Sequence, residues 1–185
     1  MPVIHSIVNF DKFVHFSRLQ VELGDHYPHA VLFSRVSENL NLPIEDRLWL
    51  SLLYMSYYQD GSAWAAFSDV KVRTRARRPP LSYPVSYQRR NLYPKGCLAR
   101  HFDSLYEIKS FRWWLAGSTW RQMVNRLGDI YGNGRWASYT TAEMLVNMNL
   151  PGLKRAIPDT YMIEGSSGPS KGLGFLGMAI TERSA

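Results

Sequence analysis

Gly132 and Gly134, two positions apart between two helical stretches, constrain this chain more than anything else in it. In Gly128-Asp-Ile-Tyr-Gly-Asn-Gly-Arg-Trp-Ala-Ser-Tyr-Thr-Thr-Ala-Glu-Met-Leu145, an apolar helix ends at Leu127, a tight turn carries the two glycines, and a second helix starts at about Arg135–Ala137. Glycine lets the backbone take φ > 0 and lets its N–H groups approach a ligand closely. A helix N-terminus carries partial positive charge and unpaired donors, which suits an anion such as phosphate. The turn is therefore read as an anion site built from backbone.

The remaining periodicity is helical. Residues 9–23 repeat Phe10, Phe13, Val14, Phe16, Leu19 and Leu23 near the 3.6-residue period, and Gly24 stops them. A short helix is expected over Ala30–Leu40. A third spans Ile44–Gln59, with Pro43 at its start and Glu45 and Asp46 complementing its positive end. Apolar on nearly all sides, that third helix is the expected core. Ala63–Phe67 reads as one or two helical turns, and Ser62 as a turn or capping residue. Helices follow at Lys95–Ile108 and at 110–127, where Trp113, Leu115, Trp120, Val124 and Leu127 form a packing stripe and Arg112, Arg121 and Arg126 a polar side. The helix after the hairpin runs to about Asn149, where Pro151-Gly152 breaks it. No strand run and no internal repeat is apparent. The expected fold is all-α: one helical domain over 1–185, a hairpin at about 111–149 and a Gly/Ser-rich segment at 165–178.

Charge narrows the partners. A net charge of +7 favours a polyanion, nucleic acid first and an anionic membrane surface second. Residues 71–78 (Lys-Val-Arg-Thr-Arg-Ala-Arg-Arg) alternate cations, among them Arg75 and Arg77; extended, they would line one side and match a phosphodiester backbone. The alternative for this stretch is a solvated loop. Arg89-Arg-Asn91 could clamp phosphate oxygens, or be a surface pair satisfied by acidic neighbours. Gly165–Phe175, with Lys171, could wrap a phosphate or be a tail. Cys97 is the single cysteine, which excludes an internal disulfide and fits a reducing compartment. His15, His26 and His29 are dispersed with no metal-ligand spacing around them, and no metal or cofactor is expected. Without a basic-then-apolar leader or an apolar run of about 18 residues, a cytoplasmic protein with no membrane partner is expected.

The hairpin Leu127-x-x-Ile-Tyr-Gly-Asn-Gly-Arg-Trp-Ala137 resembles the helix-hairpin-helix of DNA glycosylases, whose turn reads Leu-Pro-Gly-x-Gly and often continues Arg-Trp-Thr-Ala. Here Tyr131 stands where Pro is usual. The resemblance implies a glycosylase-like scaffold whose turn amides hold a DNA phosphate. Ile157-Pro-Asp-Thr-Tyr-Met-Ile163 is similar to the segment bearing the catalytic Asp of that family. Thr160 takes that Asp's place and Asp159 sits one residue early, a departure from base excision.

Over most of the chain the sequence is more similar to a phage family related to these glycosylases, the α-glutamyl/putrescinyl-thymine pyrophosphorylases, or amino acid:DNA transferases. Leu32-Phe-Ser-Arg-Val-Ser37, Leu48-Trp-Leu50, Tyr58-Gln-Asp-Gly-Ser-Ala-Trp64, Arg89-Arg-Asn91, His101, Gly132–Leu145 and Gly168-Pro-Ser-Lys-Gly-Leu173 carry the similarity. It implies attack by an amine on activated 5-hydroxymethyluracil in double-stranded DNA, with pyrophosphate leaving. Such chemistry needs an extruded base stacked on aromatic rings, for which Trp64, Trp136 and Tyr139 are candidates. It needs cations where charge develops, for which Arg89, Arg90, Arg135 and Lys171 are candidates. It also needs a group to take the amine's proton: His101, then Asp159, then Glu143. Gly132, Asn133 and Gly134 would hold the DNA backbone. The donor is an amino acid or a polyamine such as putrescine, the basic composition leaning toward the former. Two other readings remain open, a helix-hairpin-helix DNA glycosylase and a non-catalytic DNA-binding protein.

Overall fold

A computed structural model of the protein describes residues 28–70, 78–148, 150, 152 and 153. Among them are seven α-helices, one short 3-10 helix and no strand. The fold is all-α. The expected helix over 9–23, the basic row containing Arg75 and Arg77, Asp159, Lys171 and the 165–178 segment lie outside the described residues.

The organising element is the helix expected from its apolar circumference. We label the helices in order: α1 (Pro28–Asn39), α2 (Ile44–Tyr57) and α3 (Asp60–Asp69). Every residue of α2 from Leu48 to Tyr57 is buried, as a helix surrounded by neighbours on all sides must be. Phe33 of α1 stacks on Trp64 of α3 at 5.3 Å and tilts against Tyr54 of α2 at 5.1 Å, tying the first three helices together. α3 is longer than the one or two turns expected, because its apolar Ala63, Ala66 and Phe67 are buried and hold the flanking residues helical. Ser62 donates to Pro84 O at 2.8 Å, so it fastens a distant loop.

From residue 78 the chain crosses to the 3-10 helix Tyr87–Leu92, then enters α4 (Lys95–Glu107). Tyr57 anchors the crossing twice: its OH donates to Pro80 O and its carbonyl accepts from Ser86 N, each at 2.7 Å. α5 (Phe111–Leu115), α6 (Trp120–Gly128) and α7 (Arg135–Asn147) complete the described chain.

The single helix expected at 110–127 is two. Gly117 takes φ +66° and donates its N–H to Gly152 O, and Thr119 starts a new helix with a capping box. Two residue assignments change with it. Trp113, expected in the packing stripe, is 78% exposed, since the break turns its face away from the core. Arg126, expected on the solvated face, is half-buried and donates to Trp114 O and to Ser118 Oγ, bridging the break. Leu115, Trp120, Val124 and Leu127 are buried as expected. Glu45, placed to complement its own helix, also caps α5: its carboxylate accepts from the N–H groups of Phe111 and Arg112. Charge at a helix N-terminus and side-chain capping are each worth on the order of 1 kcal/mol.

Candidate phosphate site at the hairpin

The hairpin forms because α6 and α7 share an apolar face and the chain between them can reverse. Trp120, Met123, Val124 and Leu127 of α6 are buried, as are Ala137, Thr141, Met144 and Leu145 of α7. The reversal is a β-turn closed by Asn133 N–H donating to Ile130 O at 2.9 Å, with Gly132 at φ +80° in the third position, as a type II turn requires. A Cβ on Gly132 would sit 2.6 Å from Leu92 Cδ2, so glycine is needed there for conformation and for packing. Gly134 differs. Its φ of −86° is ordinary and a Cβ would meet nothing within 4 Å. It is the N-cap of α7, and it brings no side chain to the first-turn amides, which have no acceptor within the helix.

Beside this uncapped terminus lies a shallow cleft of about 240 Å³. Gln88, Arg89, Arg90 and Asn91 form one wall; Gly132, Gly134, Trp136 and Ala137 form the other. Its volume falls below the ~300–1,000 Å³ of small-molecule pockets and suits a phosphate group. Trp136 is 45% exposed and meets Tyr58 edge-on at 5.2 Å. Tyr58 itself is held at φ 52°, a conformation costly for an aromatic residue. Arg90 is exposed, with its guanidinium 5.0 Å from the Tyr87 ring. Arg135 is exposed on the first turn of α7.

Arg89 has a different role from its neighbour. It is 2% exposed, and it donates from Nη1 to Gly132 O at 3.2 Å and from Nη2 to Asn133 Oδ1 at 2.8 Å. Asn133 passes the connection on by donating to Leu127 O, and Asn91 adds a second bond to Gly132 O at 2.7 Å. The Arg89 Nε has no acceptor among the described residues. Burial lowers the guanidinium's pKa to about 10, which leaves it charged at neutral pH. A buried cation beneath a turn raises the positive potential of the cleft above it.

His101 lies outside the cleft. It is 2% exposed, with Nδ1 2.6 Å from Tyr131 O and Nε2 2.9 Å from Ser56 Oγ. Burial lowers its pKa to about 4; the bond to Tyr131 opposes that shift and the Arg89 charge adds to it. The ring is neutral at pH 7. A carbonyl only accepts, so the proton sits on Nδ1 and Nε2 accepts from Ser56. Ser56 Oγ also donates to Leu52 O at 2.7 Å, so its single proton is shared between that carbonyl and the Nε2 lone pair. With both nitrogens engaged and no route to solvent, His101 does not serve as the base facing a substrate in this geometry.

The structure thus brings Arg89, Arg90, Gly132, Gly134 and Trp136 of the expected set to one cleft, with Asn133 bonded to Arg89 and Arg135 beside it. The others separate. Glu143 is half-buried on α7, about 12 Å along the axis from Arg135 at 1.5 Å per residue. Tyr139 packs edge-on against Trp120 at 5.1 Å, Trp64 stacks on Phe33 and meets Phe67 edge-on, and neither ring lines the cleft. Arg78, at the end of the basic row, pairs with Asp103 at 2.5 Å.

Several contributors carry no signal in the sequence. Ser104 Oγ accepts from Tyr131 N at 3.0 Å, and Arg100 lies 4.1 Å over the Tyr131 ring. These contacts account for the departure from proline at this position: Tyr131 uses an N–H that proline lacks. A larger groove of about 680 Å³ near Trp113, Trp114 and Asp129 is lined by none of the expected site residues. Among the described residues no His, Cys, Asp and Glu group is gathered for a metal, and no helix is long and apolar enough to cross a membrane. No family model, curated protein or solved structure matches the chain.

Proposed function

We propose that the protein grips the backbone of double-stranded DNA with the α6–α7 hairpin and substitutes an amine for pyrophosphate on activated 5-hydroxymethyluracil. The observation that carries the reading is the cleft itself: the uncapped N-terminus of α7 faces Arg89, Arg90 and Asn91 across a space the size of a phosphate. A net charge of +7 supports a polyanionic partner. The chemistry rests on the resemblance to the thymine-modifying transferases. In that reaction the amine nitrogen bonds to the exocyclic methylene carbon and the carbon–oxygen bond to pyrophosphate breaks. Pyrophosphate leaves with the bonding pair, and the amine gives up one proton. Arg90, exposed at the cleft, and Arg135, exposed on the first turn of α7, are the cations proposed to meet the leaving group, and Trp136 is the ring proposed to stack on the extruded base. Asp159 and Glu143 remain the proposed proton acceptors.

The test is to incubate the protein with duplex carrying pyrophosphorylated 5-hydroxymethyluracil and a panel of amino acids and polyamines. Free pyrophosphate and a heavier nucleoside are expected. Duplex binding by folded protein with neither product across the panel overturns the transfer. One observation favours a second reading, DNA binding without turnover: two nominated catalytic residues, Arg89 and His101, are buried and bonded to the hairpin.

A further inference from the structure

The Tyr131–Gly132 peptide is held at its carbonyl end from inside the protein. His101, on α4, reaches Tyr131 O with Nδ1 at 2.6 Å, and Ser104, one turn further along α4, receives Tyr131 N–H at 3.0 Å. None of the described peptide bonds is cis. In a trans peptide the carbonyl and the N–H point in opposite directions. A Tyr131 carbonyl drawn toward buried His101 therefore sends the Gly132 N–H away from α4, outward on the turn that lines the cleft. Without the bond the same peptide is free to rotate: a type I turn also places the Tyr131 carbonyl elsewhere, and Gly132 accepts either geometry.

We propose that His101 is a positioning residue whose Nδ1–H fixes the Tyr131–Gly132 peptide so that the Gly132 amide faces the DNA phosphate. The inference deepens the proposed phosphate grip and rests on it for the identity of the ligand. Ser56 supports the same arrangement from behind: its hydroxyl proton, shared with Leu52 O, faces the Nε2 lone pair at an Oγ–Nε2 distance of 2.9 Å, while the ring proton on Nδ1 goes to Tyr131 O. Arg89 and Asn91 hold the next carbonyl, Gly132 O, so the two consecutive carbonyls of the turn are both held by side chains of other elements.

Asparagine and glutamine separate positioning from packing. The carboxamide of Asn falls where Nδ1 is, and that of Gln falls where Nε2 is. His101→Asn retains a donor for Tyr131 O, whereas His101→Gln retains a partner for Ser56 and loses that donor. Duplex affinity is read by fluorescence anisotropy at fixed salt, and the Gly132 amide resonance by NMR in the free protein. His101→Asn is expected to bind within about twofold of wild type. His101→Gln is expected to bind about tenfold more weakly, the fold-change of one charge-assisted hydrogen bond, with the Gly132 resonance displaced. Equal affinities and equal Gly132 resonances in the two variants overturn the inference. Wild-type protein that binds no duplex overturns the phosphate grip, and the Gly132 resonances then judge the positioning alone. A measurement free of variants is the nitrogen-15 spectrum of the wild-type ring: the Nδ1–H tautomer is expected, and the Nε2–H tautomer overturns the assignment.

Discussion

Two helix junctions in this chain turn on a left-handed glycine, and they finish in opposite ways. Between α5 and α6, Gly117 reverses the chain and Thr119 closes the next helix: its Oγ accepts from Gln122 N, and Gln122 Oε1 accepts from Thr119 N. Between α6 and α7, Gly132 reverses the chain and Gly134 leaves the next helix without a side-chain cap. A capping side chain in place of glycine stabilises a helix by only a few tenths of a kcal/mol, so the open end costs the fold little. What it provides is a helix end without a side-chain cap beside a cleft walled by Arg89, Arg90 and Asn91. The closed junction is capped by a side chain of its own, and the open one is where the phosphate is proposed to bind.

Support beneath the two turns differs in the same sense. A Cβ at Gly117 would meet nothing within 4 Å, while one at Gly132 would meet Leu92 at 2.6 Å. Gly132→Ala is therefore expected to cost roughly 2–4 kcal/mol, from left-handed strain plus overpacking, and Gly117→Ala about 1–2 kcal/mol from strain alone. Urea denaturation of both variants checks the ranking. Equal losses would mean that Leu92 swings aside and that the hairpin is no more firmly seated than the other turn.

Acid should loosen the open junction selectively. In the folded chain His101 takes up its proton only near pH 4, against 6.5 for the exposed ring. Between those values the unfolded chain binds the extra proton, so stability falls as pH falls from 6.5 to 4 and is fully present above that window. From about pH 6.5 to pH 5 the loss from this one group is on the order of 2 kcal/mol. Subtracting the stability profile of His101→Asn from that of wild type removes the carboxylates common to both. A flat difference across the window would contradict the buried neutral ring.

How much of this was legible in the sequence depends on range. α2 announced itself by an apolar circumference and Pro43, and the hairpin by its glycines, because both signals are local. The break at Gly117 was also written locally, since Thr119-Trp-Arg-Gln122 spells a capping box. An apolar stripe running through 110–127 hid it. The seating of the turn was not legible. Arg89 reaches residues 43 and 44 positions away, and His101 reaches one 30 positions away. Nothing in a one-dimensional pattern separates a buried arginine from the exposed one beside it, so Arg89 and Arg90 read as one clamp. Folded, both line the cleft, but the first is buried and bonded to the turn while the second is exposed.

The most direct test places a carboxylate where the phosphate is proposed to lie. Gly134→Asp supplies a cap to α7 in open space and should leave stability equal to wild type or raised by a few tenths of a kcal/mol. Thr119→Ala, the matched change at the closed junction, should cost about 1 kcal/mol. Measured together as duplex affinity against salt concentration, Gly134→Asp is expected to bind at least about tenfold more weakly with a shallower salt slope, and Thr119→Ala to bind as wild type does. Undiminished affinity in folded Gly134→Asp would contradict the account, because the open helix end would then hold no phosphate.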